Sequence, residues 1–389
     1  MRFQLLPGEI GHTRGAWRRG FREDAACVES LGVTLTHGTL CVDARSGALI
    51  NGPCCAAAGS WRRRARTTAA NGSTGAFSDE DDQVIPPPTR SPAEAVAWVQ
   101  RTLGRGARVV GWRRLTGGLT SLVHRLTVVQ HGRRRSFVLR RWVPDAERRE
   151  YAVRAVASET AILTALERSD LPVPRLIGST TDAADGGPAV LMTRVAGHVH
   201  LVPRDRERWL RQAAQALTRI HALDINAKPF ESWLDRSRLS PPQGAPRPEI
   251  WSEAIALVAE QRGPTRTCFI HRDYQHFNLL WSRERLTGVI DWVQASVGPP
   301  DIDVGLYRLN LTLLFSADLA DRFRQIYEAE AGRKVDSQWD VHSLLTYAAL
   351  PAGDWKRFLP MLIDGRAPLD VDGMTSRMED VLERTLRRS

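Results

Sequence analysis

Ten residues in the second half of this chain, 271–280, constrain its fold more than any other stretch. They read HRDYQHFNLL, so that Asp273 and Asn278 lie five positions apart and an apolar step follows. A second apolar run, at 288–290, ends on another carboxylate, Asp291. Phosphoryl transfer from a nucleotide uses such a set, with one carboxylate facing the attacking hydroxyl, and an amide and a second carboxylate holding metal ions. The pattern therefore predicts a phosphoryl-transfer site on a loop flanked by short strands.

The spacing within this motif is also that of the protein-kinase signature, in which a metal-binding Asp follows further along the chain. The first pattern alone arises by chance in about 5% of chains this long, if each fixed position matches roughly one time in twenty. Asp291, preceded by Ile and followed by Trp at a loop-length distance, makes chance a poor explanation. The structural alternative is that His271 and Asp273 only cap a turn, and that Asp291 bonds the backbone amides after it.

The order of periodic segments predicts an α+β protein with two lobes, because strands come first and helices dominate later. Residues 86–194 are expected to form an N-terminal lobe with a sheet, and residues 195–389 a larger, mainly helical C-terminal lobe. Strands are predicted at 109–115, 122–129, 136–141, 171–178 and 188–195, with a turn at 131–135 and a short strand at 268–270. Helices are predicted from residue 92, through 151–166, and at 207–223, 249–262, 304–315, 319–331, 339–350 and 374–387.

Residues 1–85 show no sustained helical or strand period, and they end in an acidic run that is followed by the prolines 86–88. This composition predicts a disordered N-terminal extension that leads into a stiff linker. A second interpretation stays open. Met1 is the only methionine before Met192, so a true start codon near residue 84 would leave this segment outside the protein.

The formal net charge of +10 is a weak indication of a nucleic-acid partner. Nearly all of the positive charge is arginine, as GC-rich coding would produce, and the arginine runs at 62–64 and 133–135 fit solvated faces or a hairpin. No groove-reading motif is present, which disfavours nucleic acid as a partner. The chain also has no apolar run long enough to span a bilayer, no secretion signal and no disulfide framework. We therefore expect a cytoplasmic protein without a membrane partner; its oligomeric state is not predicted.

Taken together, these residues resemble the aminoglycoside phosphotransferase / choline kinase family of kinase-like small-molecule phosphotransferases. The resemblance covers about residues 91–389. It rests on an ordered series: Thr-Gly-Gly at 116–118, Val-Leu-Arg at 138–140, the ExxxLxxL run from Glu159, Val-Pro at 173–174, the motif at 271–280, Ile-Asp-Trp at 290–292 and GPPDIDV at 298–304. A Ser/Thr/Tyr protein kinase is disfavoured, because its DFG, APE and GxGxxGxV motifs are absent.

The resemblance implies a bilobal, protein-kinase-like fold with ATP between the lobes and a small hydroxylated molecule as the acceptor. It implies that Asp273 is the catalytic base, that Mg²⁺ binds Asn278 and Asp291, and that Asp303 is a buried structural carboxylate. The remaining residues are expected to contact the nucleotide through a glycine turn, a charged pair and the backbone of the hinge. These are Gly117, Gly118, Ser121, Arg140, Glu159, Met192 and Arg194.

One position departs from the kinase pattern, in which a strand Lys pairs with a helix Glu and touches the phosphates. This chain has no Lys before Lys228, and Arg140 stands where the Lys is expected. An Arg is permanently charged and bonds phosphate and carboxylate as a planar fork, which is compatible with an active enzyme. The alternatives left open are an inactive nucleotide-binding relative and, less favoured, a basic nucleic-acid binder.

Overall fold

The structure is a computed structural model that describes residues 40–42, 49–51, 92–115, 121–143, 148–260, 263–349 and 373–388. These fall into two units, Met1–Asp81 and Asp82–Ser389. In the first unit, β1 (Leu40–Val42) pairs antiparallel with β2 (Leu49–Asn51). The other residues of the predicted N-terminal extension lie outside the described residues, so that expectation stays a prediction. The turn that carries Gly117 and Gly118 also lies outside them.

The second unit begins with a five-stranded antiparallel sheet, in the strand order β3-β4-β5-β7-β6. Its strands are β3 (Arg108–Leu115), β4 (Leu122–Gln130), β5 (Arg133–Arg141), β6 (Leu176–Thr180) and β7 (Ala189–Thr193). The turn predicted at 131–135 is shorter than expected. It consists of His131 and Gly132, which both have positive φ, as a two-residue hairpin turn requires. The three arginines that follow belong to β5 and are exposed.

The two faces of this sheet bury different cores, because successive side chains of a strand point to opposite faces. Helix α1 (Pro92–Leu103) packs with Leu139 and Leu191 on one face. Helix α2 (Arg149–Leu166) shares its core with Val190 and Met192 on the other face. Arg140 therefore leaves β5 on the same side as α2.

Helices form most of the rest of the unit. They are α3 (Arg206–His221), α4 (Pro248–Ala259), α5 (Asp301–Leu314), α6 (Ala317–Ala331), α7 (Ser337–Leu344), α8 (Thr346–Ala349) and α9 (Met374–Leu386). Side-chain caps begin three of them, with Asp205 accepting from Arg208 N–H, for example, at the start of α3. The helix predicted at 339–350 begins earlier and is interrupted at Leu345, which gives α7 and α8. No described helix has the length and apolar character needed to cross a membrane.

Two small two-stranded sheets lie among the helices and carry the motif. Strand β8 (Cys268–Ile270) pairs with β11 (Ser296–Gly298), and β9 (Leu279–Ser282) pairs with β10 (Arg285–Val289). The chain enters this region at Gly197, where an added Cβ would lie 3.0 Å from backbone atoms of Trp281. His198 and Trp281 then exchange two backbone hydrogen bonds of 3.0 and 2.8 Å. The segment at 197–198 is thus tied to β9. The predicted combination of an antiparallel-sheet lobe and a helical lobe is confirmed, whereas the lobe boundary at 194/195 stays a prediction.

Candidate active site

A fully buried carboxylate holds the start of the motif loop in place. Asp303, in the first turn of α5, accepts 2.7 Å hydrogen bonds from the backbone N–H groups of His271 and Arg272. His221 Nε2 lies 3.2 Å from the same carboxylate. Arg272 has a φ of +70°, a left-handed conformation that costs energy in a non-glycine residue and persists where its surroundings hold it. Asp303 therefore has the position of a structural carboxylate, as the resemblance implies.

The ring of His271 joins the two halves of the site. Its Nε2 lies 3.0 Å from the carbonyl of Ile290, and its Nδ1 lies 3.3 Å from the backbone N of Asp273. The carbonyl can only accept and the amide can only donate, so the ring is neutral with its proton on Nε2. Burial lowers the pKa of His271, which agrees with that assignment. The ring thus acts as a spacer between two loops.

Asp273 lies half-buried in the loop, and side-chain amides hold both of its carboxylate oxygens. Gln275 Nε2 donates to Oδ1 at 2.8 Å, and Asn278 Nδ2 donates to Oδ2 at 3.0 Å. Burial and the charge of Asp291 raise the pKa of Asp273 to about 7, although the two amide hydrogen bonds oppose the rise. A carboxylate with a pKa near neutrality, fixed in orientation, suits a general base.

Asn278 and Asp291 are brought together by the β9–β10 hairpin. Asn278 directly precedes β9 and Ile290 directly follows β10, so the antiparallel pairing sets them opposite each other, with an Ile290 N–H to Asn278 carbonyl bond of 2.9 Å. Asp291 has a φ of +67°. Burial would raise the pKa of Asp291, but the charge and hydrogen bonds of Arg140 outweigh burial and lower it. Asp291 is therefore ionised at neutral pH.

Arg140 links the sheet to this hairpin. Its Nη1 and Nη2 donate to Oδ1 and Oδ2 of Asp291 at 2.7 and 2.9 Å. Its Nη1 also donates to Glu159 Oε1 at 3.0 Å, and its Nε donates to Ser121 Oγ at 2.8 Å. Burial would lower the pKa of Arg140, but the two carboxylates raise it above its ordinary value. The pairing with Glu159 expected from the sequence is present, and the bidentate pairing with Asp291 is an additional contact.

Glu159 is the more buried of the two acids that bind Arg140. It is 2% exposed, and burial raises its pKa to about 7, with Arg140 opposing and Asp291 adding to the rise. Its Oε2 has no hydrogen-bond partner among the described residues. A buried carboxylate oxygen without a partner carries a desolvation cost. The contact with Arg140 is therefore the main compensation for keeping Glu159 inside the protein.

The arrangement agrees with the comparison to known families. Residues 111–342, more than half of the chain, match the family model of the phosphotransferase enzyme family. The chain belongs to the phosphotransferase enzyme family. All of the polar residues described above lie within the matched range. Among curated proteins, none matches the chain.

Solved structures of other phosphotransferases have a similar fold. A protein of Ralstonia eutropha JMP134, provisionally assigned as an aminoglycoside phosphotransferase, is 17% identical with a TM-score of 0.52, over 77% of this chain and 98% of that one. Apo macrolide 2'-phosphotransferase MphH from Brachybacterium faecium is 19% identical with a TM-score of 0.46, over 70% and 94%. A thermostable mutant of aminoglycoside phosphotransferase APH(4)-Ia, complexed with ADP and hygromycin B, is 15% identical with a TM-score of 0.45, over 72% and 94%. The first likeness establishes the fold alone.

The donor atoms of this phosphotransferase fit a magnesium ion. Mg²⁺ prefers oxygen ligands and is usually held by one or two protein groups plus water and phosphate oxygens. Asn278 uses its Nδ2 on Asp273, which leaves its Oδ1 for a metal. The side chain of Asp291 is 29% exposed, so its oxygens are accessible from the site even while they accept from Arg140. In the described residues, no cluster of three or more His, Cys, Asp or Glu side chains is arranged to hold a metal, at this site or at any other.

The other residues expected to contact a nucleotide lie at different depths. Ser121 is buried at the start of β4, and its hydroxyl accepts from Arg140. Met192 lies inside the sheet and pairs with both neighbouring strands, at Val138 and Leu176. Arg194 is exposed and follows the end of β7. The backbone at Arg194 is therefore better placed than that of Met192 to bond a ligand.

Three residues that sequence reasoning did not assign lie next to this site. Arg272 lies inside the motif, and its guanidinium carbon lies 3.4 Å from the ring centre of Trp233. His342, on α7, has its Nε2 2.8 Å from Ser232 Oγ. Arg272 lies between His271 and Asp273, and this position in the motif could have identified it from the sequence. Neither Trp233 nor His342 belongs to a motif, and only the fold brings them to Arg272.

Proposed function

We propose that this chain is an ATP-dependent phosphotransferase that moves the γ-phosphate of ATP to a hydroxyl group of a small molecule. One observation carries the proposal: Arg140 on the sheet binds Glu159 on α2 and, with both outer nitrogens, Asp291 on the catalytic hairpin. A charged group that joins the two lobes at the metal-binding carboxylate is the arrangement that kinase-like catalysis uses to position phosphates.

Asp273 is the proposed base. The amides of Gln275 and Asn278 fix its carboxylate, so that it orients the acceptor hydroxyl before transfer. The transition state of phosphoryl transfer is loose in most analyses, so Asp273 takes the proton late. The rise of its pKa through burial strengthens it as a base while leaving much of it ionised near neutral pH.

Arg140 and the backbone after β7 are the proposed nucleotide contacts. Arg140 is held by Glu159 and Ser121, and this leaves its fork directed to Asp291, beside which the α- and β-phosphates would lie. The backbone near Met192 and Arg194 is proposed to bond adenine, and the turn of Gly117 and Gly118 to approach the phosphates. Mg²⁺ held by Asn278 and Asp291 would neutralise charge on the leaving diphosphate.

One observation favours a second candidate, an inactive nucleotide-binding relative. Both oxygens of Asp291 accept hydrogen bonds from Arg140, and a cation at that distance disfavours a divalent metal at the same carboxylate. If Arg140 keeps this position when nucleotide is present, the chain would bind ATP without transferring its phosphate.

A direct assay separates the two candidates. The full chain is incubated with Mg·ATP and a panel of hydroxylated metabolites and antibiotics, and ADP formation is followed with and without EDTA. We expect ADP formation that depends on both an acceptor and Mg²⁺. The matched control is Asp273→Asn, which keeps the side-chain shape but removes the base. A wild-type chain that binds Mg·ATP and shows neither hydrolysis nor transfer across the panel would favour the inactive relative.

A further inference from the structure

A narrow slot opens beside the motif loop, next to the proposed base. Arg272, the neighbour of Asp273, forms one wall, and Phe230, Trp233 and His342 form much of the remainder. The slot has a volume of about 20 Å³, which is room for roughly one water. The slot can therefore take one small group of a ligand, while the bulk of that ligand lies outside it.

Arg272 is a buried cation that makes no direct ion pair with a described residue. It is 5% exposed, and its guanidinium lies 3.4 Å from the ring centre of Trp233 and 4.8 Å from that of Phe230. Its side chain donates to the carbonyl of Glu231. Within the described residues, no carboxylate forms an ion pair with it. Burial lowers the pKa of Arg272 to about 10, although the charges of Asp303, Asp273 and Glu231 oppose the fall. A buried charge without an ion pair is costly, and a ligand anion would reduce that cost.

His342 offers a second unsatisfied group at the same slot. It is 5% exposed, and its Nδ1 has no partner among the described residues. Ser232 Oγ lies 2.8 Å from His342 Nε2 and 3.4 Å from the carbonyl of Leu234. The hydroxyl donates its one proton to that carbonyl, which can only accept. His342 Nε2 then donates to Ser232 Oγ, so its Nδ1 is an acceptor without a partner among the described residues.

We propose that this slot binds a carboxylate of the acceptor, so that the acceptor is a hydroxylated compound with an anionic group beside an apolar ring. The proposal rests on the proposed phosphotransferase function. Arg272 matches a carboxylate with its planar fork. Trp233, which is 53% exposed, offers a flat surface for the ring. A polycationic acceptor is disfavoured, because Arg272 would repel it at the slot.

A series of three compounds that differ only in charge tests this specificity. The compounds are 4-(hydroxymethyl)benzoate, 4-(hydroxymethyl)benzamide and 4-(hydroxymethyl)benzylamine, titrated into the full chain without nucleotide and followed by calorimetry. We expect the benzoate to bind at least about tenfold more tightly than the benzylamine, since a hydrogen bond to a charged group contributes that much. Benzylamine binding that equals or exceeds benzoate binding would overturn the proposal. So would the absence of benzoate binding at millimolar concentration.

Substitutions at the slot test whether the preference for the benzoate arises there. Arg272→Gln should reduce benzoate affinity about tenfold and leave benzamide affinity nearly unchanged. The matched control is Arg206→Gln, which removes an exposed arginine that also stacks on a ring, that of Phe315 at 5.8 Å, and should change neither. If Arg272→Gln does not fold, Trp233→Ala removes an exposed ring and should weaken all three compounds. An unchanged benzoate preference in Arg272→Gln, or unchanged binding in Trp233→Ala, contradicts the proposal.

Binding and transfer are measured separately, so the two proposals fail in different ways. Tight benzoate binding with no ADP formation from Mg·ATP would leave the slot assignment standing and remove the phosphotransferase assignment. Phosphate transfer to cationic acceptors, combined with no preference for the benzoate, would do the reverse.

Discussion

Two buried arginines of this protein have similar chemistry and different surroundings. Arg140 is 7% exposed and Arg308 is 0% exposed, and each binds two carboxylates. Arg140 lies on a strand and reaches Asp291, 151 positions away. Arg308 lies on α5 and binds Asp321 and Asp340, on the neighbouring helices α6 and α7. One cluster therefore joins the sheet to the β9–β10 hairpin, and the other joins helices.

Exposure separates the two clusters. The side chain of Asp291 is 29% exposed, whereas that of Asp340 is 0% exposed. Unmet hydrogen-bonding capacity does not separate them, because Glu159 Oε2 and Asp340 Oδ1 both lack a partner among the described residues. A charged group can exchange partners with a ligand only where solvent and ligand can reach it. The Arg140 cluster is therefore suited to binding, and the Arg308 cluster to holding the helices together.

The largest expected effect concerns Asp273, the acid next to the Arg140 cluster. Asp273→Asn should lower turnover by about 10²–10⁴-fold, the usual contribution of a general base. ATP binding should remain close to that of the wild type, because Asp273 faces the acceptor. Steady-state kinetics measure the turnover, and nucleotide titration measures ATP binding. A variant that keeps more than about a tenth of the wild-type rate would contradict the assignment of the base.

The next largest effect is expected from disrupting the Arg308 cluster. Arg308→Met should lower the free energy of unfolding by about 3–5 kcal/mol, because the fully buried Asp340 loses its closest partner and keeps only the longer contact with Arg388. Arg140→Met should cost less stability, since Asp291 can be hydrated from the site. Urea unfolding of the two variants compares them directly. Equal losses, or a smaller loss for Arg308→Met, would break the distinction between the clusters.

A smaller effect is expected from replacing Arg140. Arg140→Ala should reduce turnover by roughly tenfold to a hundredfold, since hydrogen bonds to charged groups contribute about 1.5–3 kcal/mol. Arg140→Lys should fall between that variant and the wild type, because Lys supplies the charge without the planar fork. Turnover at saturating ATP provides the measurement. A Lys variant no better than the Ala variant would show that the fork itself is required.

The pH dependence of stability should report on the same site. The pKa of Asp273 is about 7 in the folded protein and about 3.9 in an unfolded chain. Between these values the folded state binds more protons, so the contribution of Asp273 to stability falls as the pH rises and levels off above about 7. The wild type should therefore lose more stability than Asp273→Asn between about pH 5 and about pH 8. Equal losses in urea unfolding would show that Asp273 titrates normally.

The smallest effect is expected from removing residues 1–85. Both arginine clusters lie beyond this segment, and its sequence has no periodicity that predicts a packed element. The truncated chain should unfold cooperatively near the wild-type midpoint and keep its activity. Insolubility, or the loss of a cooperative thermal transition, would show that the segment contributes to the fold.

Local sequence pattern predicted most elements to within a few residues. The helix expected at 207–223 runs from Arg206 to His221, and the strand expected at 122–129 runs from Leu122 to Gln130. The misses have identifiable causes. The edge strand expected from 171 begins at Leu176, beyond two prolines that restrict the backbone. The arginines at 133–135, predicted to lie in a turn, belong to β5, where their side chains face solvent and their polarity does not oppose a strand.

The sequence by itself identified the residues that are proposed to form the catalytic loop, because their chemistry depends on spacing that can be counted. Asp273, Asn278 and Asp291 lie within one loop and one hairpin, so local pairing is enough to bring them together. Only the tertiary structure decided what surrounds them. Arg140 meets Asp291 across 151 positions, and Arg272 meets His342 through helix packing. Such contacts, and the burial that shifts the pKa of Asp273, follow from how distant elements exclude water from one another, and no spacing in the sequence encodes them.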